Sequence, residues 1–579
     1  MVWNELNAGL DAALWATGLA DAARDVRVEW AIPRERAHGD WTTNVALALA
    51  KPAGRPPRAI AEALAAAFPR AGSPFASVEV AGPGFLNLRY APEFLAALPG
   101  RIMREAGAFG RSTGGAGTRV LIEYVSANPT GPLNVVSARA AAVGATLVRL
   151  LAATGHDAVG EFYVNDTGRQ VDLLGLSLRA RFLERTGATA ELPEGGYVGG
   201  YLVELARELP EREARAALGA ADGGLAWFQE QALARMLAWQ QRDLADYGAS
   251  FARWFRESEL HRSGAVNATL DELEQRGVLY RAEAAEGAEA EADDAAHAAA
   301  EGAAPAGLAT FLRTSAFGDD KDRVVVRSDG RPTYLLPDIA YHRDKAARGF
   351  RHAIDLWGPD HHGYIPRMRA ALAALGLPAE FFDVIIVQQV NLKSGGQPVK
   401  MSKRAGEFVT LRDLMDDIGA DCAKFLFLVR STSAHLDFDL DLARRQNDEN
   451  PAYYVQYAHA RIASILRFAR ERGLEAHPAR VRLDAAEEVA LVRTLATFPE
   501  VVRGAAAAHE PHRIPTYLVD TAATFHRFYH ACRVVGDDVE RSRGRLAIAE
   551  AARQVLANGL ALLGVSAPER MERAAEVEA

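Results

Sequence analysis

Three cations fall within five residues at Lys400-Met401-Ser402-Lys403-Arg404. The residues just before them, Lys393-Ser394-Gly395-Gly396-Gln397, are polar and glycine-rich, which predicts a flexible loop after a strand at Val384–Val390. Cations on such a loop suit the negative charge that develops on phosphates during their transfer, and lysine serves there as a compact point charge. Taken alone, the same residues would also make a solvated basic turn. About 266 residues earlier stands Ala127-Asn128-Pro129-Thr130-Gly131-Pro132-Leu133-Asn134-Val135-Val136-Ser137. A Pro/Gly turn between a strand and a helix N-terminus makes a cradle for phosphate or ribose, although Asn-Pro and Gly-Pro also serve plain turns.

The surrounding elements must hold these two segments. Val120–Val125 reads as a buried strand, and a long Ala/Val/Leu helix runs from Val135 to about Ala153, with a second strand at Gly160–Val164. Later strands at Val324–Arg327, Phe350–Leu356 and Asp383–Val390 fit the same parallel α/β sheet. Ligands of such sheets bind at the carboxyl ends of the strands, where Asn128–Leu133 and Trp357–His362 would both fall. Residues 1–108 read as a small α+β unit, with helices at Trp41–Ala50 and Pro57–Phe68 and strands at Ser77–Ala81 and Phe85–Arg89. Gly107–Thr118 reads as a linker, 119–441 as the sheet domain and 442–579 as a helix bundle. Its helices are expected at Tyr453–Glu471, Ala485–Ala508, Pro515–Cys532 and Arg543–Leu563.

With 579 residues, 49% apolar and 24% charged, the chain has the composition of a globular protein of several domains. Two cysteines, Cys422 and Cys532, exclude a disulfide framework and a four-thiolate zinc site, and a reducing compartment fits. No secretory signal and no uncharged apolar stretch of membrane length is visible, so a cytoplasmic protein is expected. The net charge of −9 is concentrated: residues 282–304 hold 7 acids, 13 Ala and no Lys or Arg. That stretch reads as a mobile acidic surface insertion. Without it the charge is −2, and residues 451–579 sum to +1, so a local basic face for nucleic acid stays open.

Together the two motifs resemble those of class I aminoacyl-tRNA synthetases, and of arginyl-tRNA synthetases in particular. Lys400–Lys403 matches that family's second ATP motif, and Ala127–Ser137 occupies the place of its first, the His-Ile-Gly-His box. Glu161–Gly168, Phe317–Arg327, Tyr334–His342, Trp357–Tyr364, Asn450–Arg461 and Leu563–Met571 also resemble the family, and His38–Asp40 and Gly82–Leu88 resemble its N-terminal appended domain. The chain departs from the pattern at the first box, where Asn134 and Ser137 replace the histidines and Val136 the glycine.

The resemblance implies a Rossmann-like catalytic sheet, an N-terminal domain that meets the tRNA, and a bundle that reads the anticodon. It implies ATP with Mg2+, L-arginine and arginine tRNA as partners, with no tightly bound cofactor, no structural metal, no membrane and a monomeric state. Activation of arginine would need bound tRNA. Lys400, Ser402, Lys403, Asn134 and Ser137 take the catalytic places. Pro129, Thr130, Gly131, Leu133, Gly358, Asp360, His361, His362 and Met401 take the ATP-binding ones. Glu123 and Asp338 would hold the guanidinium, Tyr334 would close the pocket, and Asn128 would meet the α-amino and carboxyl end; two carboxylates suit a planar guanidinium and disfavour lysine. In the bundle Tyr453, Tyr457 and Arg461 offer stacking faces and a cation to splayed RNA bases, although tyrosines also pack between helices. The departed box leaves one alternative, a synthetase-like chain that binds tRNA or protein without charging.

Overall fold

Strand pairing, more than helix propensity, organises the N-terminal region. The computed structural model describes residues 2–33, 35–283, 307–399 and 409–571. Strands β1 (Trp30–Ala31), β2 (Trp41–Thr43), β3 (Phe75–Ala81) and β4 (Phe85–Tyr90) form an antiparallel sheet in the order β1-β2-β4-β3. The helix expected from Trp41 begins only at Val45. Trp41–Thr43 pairs instead with Leu86–Leu88, the Trp41 indole N–H donates to the Tyr90 hydroxyl at 2.7 Å, and the Asp40 carboxylate accepts the Tyr90 N–H at 2.8 Å. These tertiary contacts override the local Ala/Leu signal.

The next strands are β5 (Arg119–Glu123), β6 (Asp157–Val164), β7 (Arg253–Arg256), β8 (Leu279–Glu283), β9 (Leu308–Leu312) and β10 (Arg323–Val326). They are followed by β11 (His352–Trp357), β12 (Phe382–Ile386), β13 (Val390–Ser394), β14 (Gln397–Pro398) and β15 (Leu436–Asp439). A fully parallel sheet has the order β12-β11-β5-β6-β7. Its central strand buries Val120, Leu121 and Ile122 almost completely, as a sheet covered on both faces requires. The helix Val135–Ala153 crosses from β5 to β6. Tyr124 packs so closely beneath it that a Cβ on Gly144 would lie 2.2 Å from the ring, so only glycine fits there.

Two expected strands fall elsewhere. β10 lies in an antiparallel sheet β10-β9-β8, and the run expected at Asp383–Val390 stops at Ile386. The chain then starts β13, which pairs in parallel with β15 and antiparallel with β14 in a third sheet. The Lys400 segment therefore leaves from β14, not from the parallel sheet. The first two residues of the expected acidic insertion, Ala282 and Glu283, belong to β8 and pair with Ala309 and Leu308; its remainder, 284–304, lies outside the described residues.

The C-terminal helices are Pro451–Arg470, Ala486–Ala496, Phe498–Ala507, Arg513–Ala531 and Val539–Leu563. The single helix expected over Ala485–Ala508 is broken at Thr497, with Pro499 in the first turn of the second piece, where proline is tolerated. Val135–Ala153 and Val539–Leu563 are long and apolar enough to cross a membrane by composition, but 67% and 61% of their apolar windows are buried within the chain. One continuous apolar core runs from Val2 to Val565 through all three regions. Polar ties reinforce it: Lys424 donates to the Gly564 carbonyl, the Ser566 N–H donates to Asp421 at 3.0 Å, and Asn558 donates to the carbonyls of Ala106 and Phe109 at 2.9 and 3.0 Å. A separate core holds the helices between Arg169 and Asp246.

Candidate active site

Parallel register places Asp355 of β11, Glu123 of β5 and Glu161 of β6 side by side, with Asp355 opposite Glu123 and Glu123 opposite Glu161. Three carboxylates in one row would repel each other, and the helix Leu335–Ala347 supplies the countercharge. Lys345, fully buried, donates to Glu123 at 2.7 Å and to Asp355 at 2.9 Å. Arg348, just past the helix, grips Glu161 through two nitrogens at 2.6 and 2.8 Å, and the Tyr341 hydroxyl donates to Glu161 at 2.7 Å. His342 Nε2 meets Asp355 at 2.9 Å. Burial works to raise the Asp355 pKa, but Lys345 and His342 outweigh it and hold that carboxyl below its usual range. Burial likewise opposes the Lys345 ammonium, yet Asp355 and Glu123 keep it above the usual lysine value. For Glu123 burial wins over Lys345, and its pKa is pushed up.

Asp338 sits one turn before His342 on the same helix. The Tyr364 hydroxyl donates to it at 2.9 Å, and burial lifts its pKa to about 7, with Glu257 and Glu123 adding to the rise. Tyr334 caps that helix at its N-terminal end, half-buried. Glu257 is 6% exposed and accepts a hydrogen bond from Thr167 at 3.0 Å. The Tyr163 hydroxyl lies in the field of Glu257, Asp338 and Glu123, which together with burial raises its pKa well above 10. These carboxylates thus gather around the Tyr163 hydroxyl. Glu123 is already engaged there, since its other oxygen accepts the Ser126 hydroxyl at 2.9 Å. It is therefore paired with Lys345 at the strand end, beside the pocket position that the resemblance implies for it. Asp338 is the carboxyl that burial holds near neutrality, and Glu257 lies near it, 3.6 Å from His261 Nε2.

After β5 the backbone turns through left-handed conformations at Val125 (φ 69°) and Ser126 (φ 39°), a costly geometry for a β-branched residue. The Ser126 hydroxyl also accepts the Tyr163 N–H at 3.1 Å, which locks the turn to β6. Gln240 donates to the Asn128 and Gly131 carbonyls at 3.3 and 3.0 Å, and Tyr201 donates to the Thr130 carbonyl at 2.6 Å. Asn128 is exposed, with its amide donating to Gln170 at 2.8 Å. Pro129 and Leu133 are buried.

Asn134 caps the helix Val135–Ala153, its side-chain oxygen accepting the Val136 and Ser137 N–H groups at 3.0 and 3.1 Å. Val136 is 37% exposed at the start of that helix. The chain returning from the second motif docks here: the Leu411 N–H donates to the Leu133 carbonyl at 2.8 Å, and Thr410 bridges to Asn134. Lys400, Met401, Ser402 and Lys403 lie outside the described residues, but Thr410, which follows them closely, is held against the first motif. Gly358 and the short turn Pro359–His361 follow β11 at the same sheet edge, with Asp360 and His362 exposed and His361 beside Trp357, ring centres 6.2 Å apart. Among the described residues no cluster of three His, Cys, Asp or Glu is placed to hold a metal.

In the bundle Tyr453 is only 8% exposed and stacks on Tyr457 at 6.0 Å. Arg461 accompanies them, donating to the Tyr457 hydroxyl at 3.0 Å and lying 4.4 Å over the Tyr529 ring. Tyr457, Arg461 and Tyr529 are half-exposed. Sequence reasoning missed Lys345, Asp355, Glu257 and Gln240. The spacing Asp338, His342, Lys345 puts three ionisable residues on one face of the helix, a signal that could have revealed the network.

Known proteins share this architecture. The family model "tRNA synthetases class I (R), catalytic domain" matches residues 104–427, "Arginyl tRNA synthetase N terminal domain" matches 4–90, and "DALR anticodon binding domain" matches 455–571. The methionyl-tRNA synthetase of Mycobacterium tuberculosis, 13% identical with a TM-score of 0.54 over 76% of this chain and 90% of that one, shares the fold. Fold and site together define a class I aminoacyl-tRNA synthetase. Within that class, the arginine–tRNA ligases of Geobacillus kaustophilus and Symbiobacterium thermophilum are each 44% identical, over 95% and 96% of both chains respectively. The arginyl-tRNA synthetase of Thermus thermophilus superposes with a TM-score of 0.76 at 25% identity, over 99% of this chain and 100% of that one. The chain belongs to the arginyl-tRNA synthetase family. None of these comparisons supports the non-charging alternative.

Proposed function

We propose that the site joins L-arginine to ATP and then to arginine tRNA in two steps. The arginine carboxylate attacks the α-phosphorus of ATP, which enters as its Mg2+ complex; pyrophosphate leaves and arginyl-adenylate forms. A 3′-terminal ribose hydroxyl of the tRNA then attacks the carbonyl carbon, and AMP departs. Asp338 and Glu257 meet the guanidinium, Tyr334 closes over it, and Asn128 meets the α-amino end. The Glu123–Lys345 pair supports the pocket from below. ATP lies along Asn128–Ser137 and Gly358–His362, with the Asn134 amide, the Ser137 hydroxyl, Lys400 and Lys403 donating to its phosphates, and Ser402 and Met401 completing the loop. Tyr457 and Arg461, with Tyr453 stacked behind them, meet the anticodon bases. The enzyme acts as a cytoplasmic monomer.

The observation that supports this best is the docking of Thr410–Leu411 onto Leu133–Asn134, which ties the chain flanking the second motif to the first. The test is aminoacylation of total tRNA with each of the twenty amino acids, together with ATP–pyrophosphate exchange with and without tRNA. Arginine alone should be charged, and exchange should need arginine tRNA. Exchange supported equally by lysine or citrulline would refute the pocket.

A further inference from the structure

Arg139 lies two residues beyond Ser137 on the helix that opens the first ATP motif, and its side chain is fully buried. The positions around it are Ala, Val and Leu, so packing alone has no use for a guanidinium there. Among the described residues no carboxylate pairs with it. It meets three backbone carbonyls: Gln388 at 2.7 Å, Ser431 at 2.8 Å and Ala434 at 3.1 Å. These carbonyls belong to two segments that are themselves joined, since the Gln388 N–H donates to Thr432 at 2.9 Å and the Leu436 N–H to Gln389 at 3.3 Å. From these segments start β13 and β15, the parallel pair whose register runs from Val390 opposite Leu436 to Lys393 opposite Asp439. β13 leads through β14 to Val399, where the Lys400 segment begins. The far side of that segment returns to Leu133 and Asn134. Leu133 and Asn134 before this helix, and Arg139 within its first turns, therefore hold the chain on the two sides of the second motif.

We propose that Arg139 is a positioning residue for adenylate formation, fixing the β13–β15 pair against the helix that carries Asn134 and Ser137. This rests on the phosphate-clamp reading of the two motifs. The planar fork of arginine reaches carbonyls on two segments at once; a lysine ammonium, a single donor centre on a shorter stem, does not reproduce that spread of donors. Burial without a countercharge lowers the Arg139 pKa to about 10, so the group stays protonated throughout the working range. A registry error of an ångström between the two motifs affects the transition state, where the phosphate donors must converge, far more than it affects arginine binding.

The test uses the full-length enzyme with Arg139→Lys and Arg139→Gln, active sites being titrated so that only folded enzyme is counted. For Arg139→Lys the kcat of arginine-dependent, tRNA-stimulated ATP–pyrophosphate exchange should fall on the order of 10²-fold, with the arginine KM within about twofold of the parent. A double-mutant cycle with Lys403→Ala separates the readings. If Arg139 acts by placing the second motif, its substitution should cost little more in the Lys403→Ala background. Three results would overturn the proposal: losses that multiply, an unchanged kcat per titrated site, or a Lys variant that does not fold. If Lys403→Ala alone leaves exchange intact, the phosphate-clamp reading falls, and the Arg139 variants still decide this proposal by their kcat-against-KM split.

Discussion

The side-chain oxygen of Asn134 accepts the backbone N–H of Ser137 at 3.1 Å, so the residue at the first histidine position of the family's box caps the helix that presents the second. The amide nitrogen of Asn134 is left as the donor. Asn134→Asp keeps the cap and removes the donor, replacing it with a negative charge beside the phosphates. Its thermal midpoint should hold, because Asp caps as well as Asn, while adenylate formation drops on the order of 10²-fold. Asn134→Ala should lose both, with about 1 kcal/mol of stability. Equal activity in parent and Asp variant would remove Asn134 from the chemistry.

Restoring the family's box is the converse experiment. Asn134→His, Val136→Gly and Ser137→His together should speed activation by roughly one to two orders of magnitude, since hydrogen bonds from charged donors are about twice as strong as those from neutral ones. The same change removes the asparagine cap and puts glycine in the first helical turn, so the thermal midpoint should fall. Stopped-flow rates and a melting curve on the same preparation check both.

The Asp338 carboxyl, with its pKa raised to about 7 in the free pocket, must lose a proton before it can pair with a guanidinium. Arginine affinity should therefore be highest above pH 7 and weaken as pH falls through 7, by up to about tenfold per pH unit. The raised value also means that ionising Asp338 costs stability above its unfolded pKa, and bound arginine should relieve that cost. Asp338→Asn should raise the arginine KM and flatten its pH dependence. A pH-independent KM in the parent would count against Asp338 as the guanidinium partner.

Lys345→Met should destabilise by about 3–5 kcal/mol, because it leaves Glu123 and Asp355 buried without their countercharge. Asp355, held low, contributes stability above its unfolded value near 4 and loses it as pH falls further; Lys345, held high, contributes below its unfolded value near 10.4 and loses it as pH rises through the folded value. The Asp355 and Lys345 contributions should thus stay level between roughly pH 5 and 9, while Glu123, whose pKa burial raises, subtracts stability as pH rises above its unfolded value. Urea midpoints across that range read it directly.

Strand β8 ends at Glu283 directly opposite Leu308 at the start of β9, so the chain leaves and re-enters the sheet at neighbouring points. A short glycine-containing turn spans that distance. Replacing 285–306 with such a turn should leave charging rate and melting temperature nearly unchanged. A large loss of either would assign the acidic stretch a role.

The parallel sheet, the crossing helix and the bundle were legible because long apolar runs at the right period name their own element. Trp41–Thr43 was not, since its strand state depends on Leu86–Leu88 and Tyr90, more than forty residues away. The break between β12 and β13 was hidden for a similar reason: Val387 and Val390 are both buried, and only their different partners separate the strands. At the site, the turn at Asn128–Leu133 between a strand and a helix could be read from local types and spacing. The engagement of Glu123 by Lys345 could not, because the two are brought together only by the packing of a helix across β5 and β11.

The unbroken apolar core from Val2 to Val565 has a consequence for how the molecule comes apart. Regions that share a core do not melt as separate modules, so calorimetry should show the N-terminal sheet, catalytic sheet and bundle losing their heat in one transition. The helices between Arg169 and Asp246, packed around their own core, are the candidate for opening earlier, and amide exchange should be faster there than in Val135–Ala153. Cutting the bundle away would bare the apolar faces of Val135–Ala153 and Ala420–Leu428, and the fragment left behind should aggregate instead of persisting as a smaller enzyme.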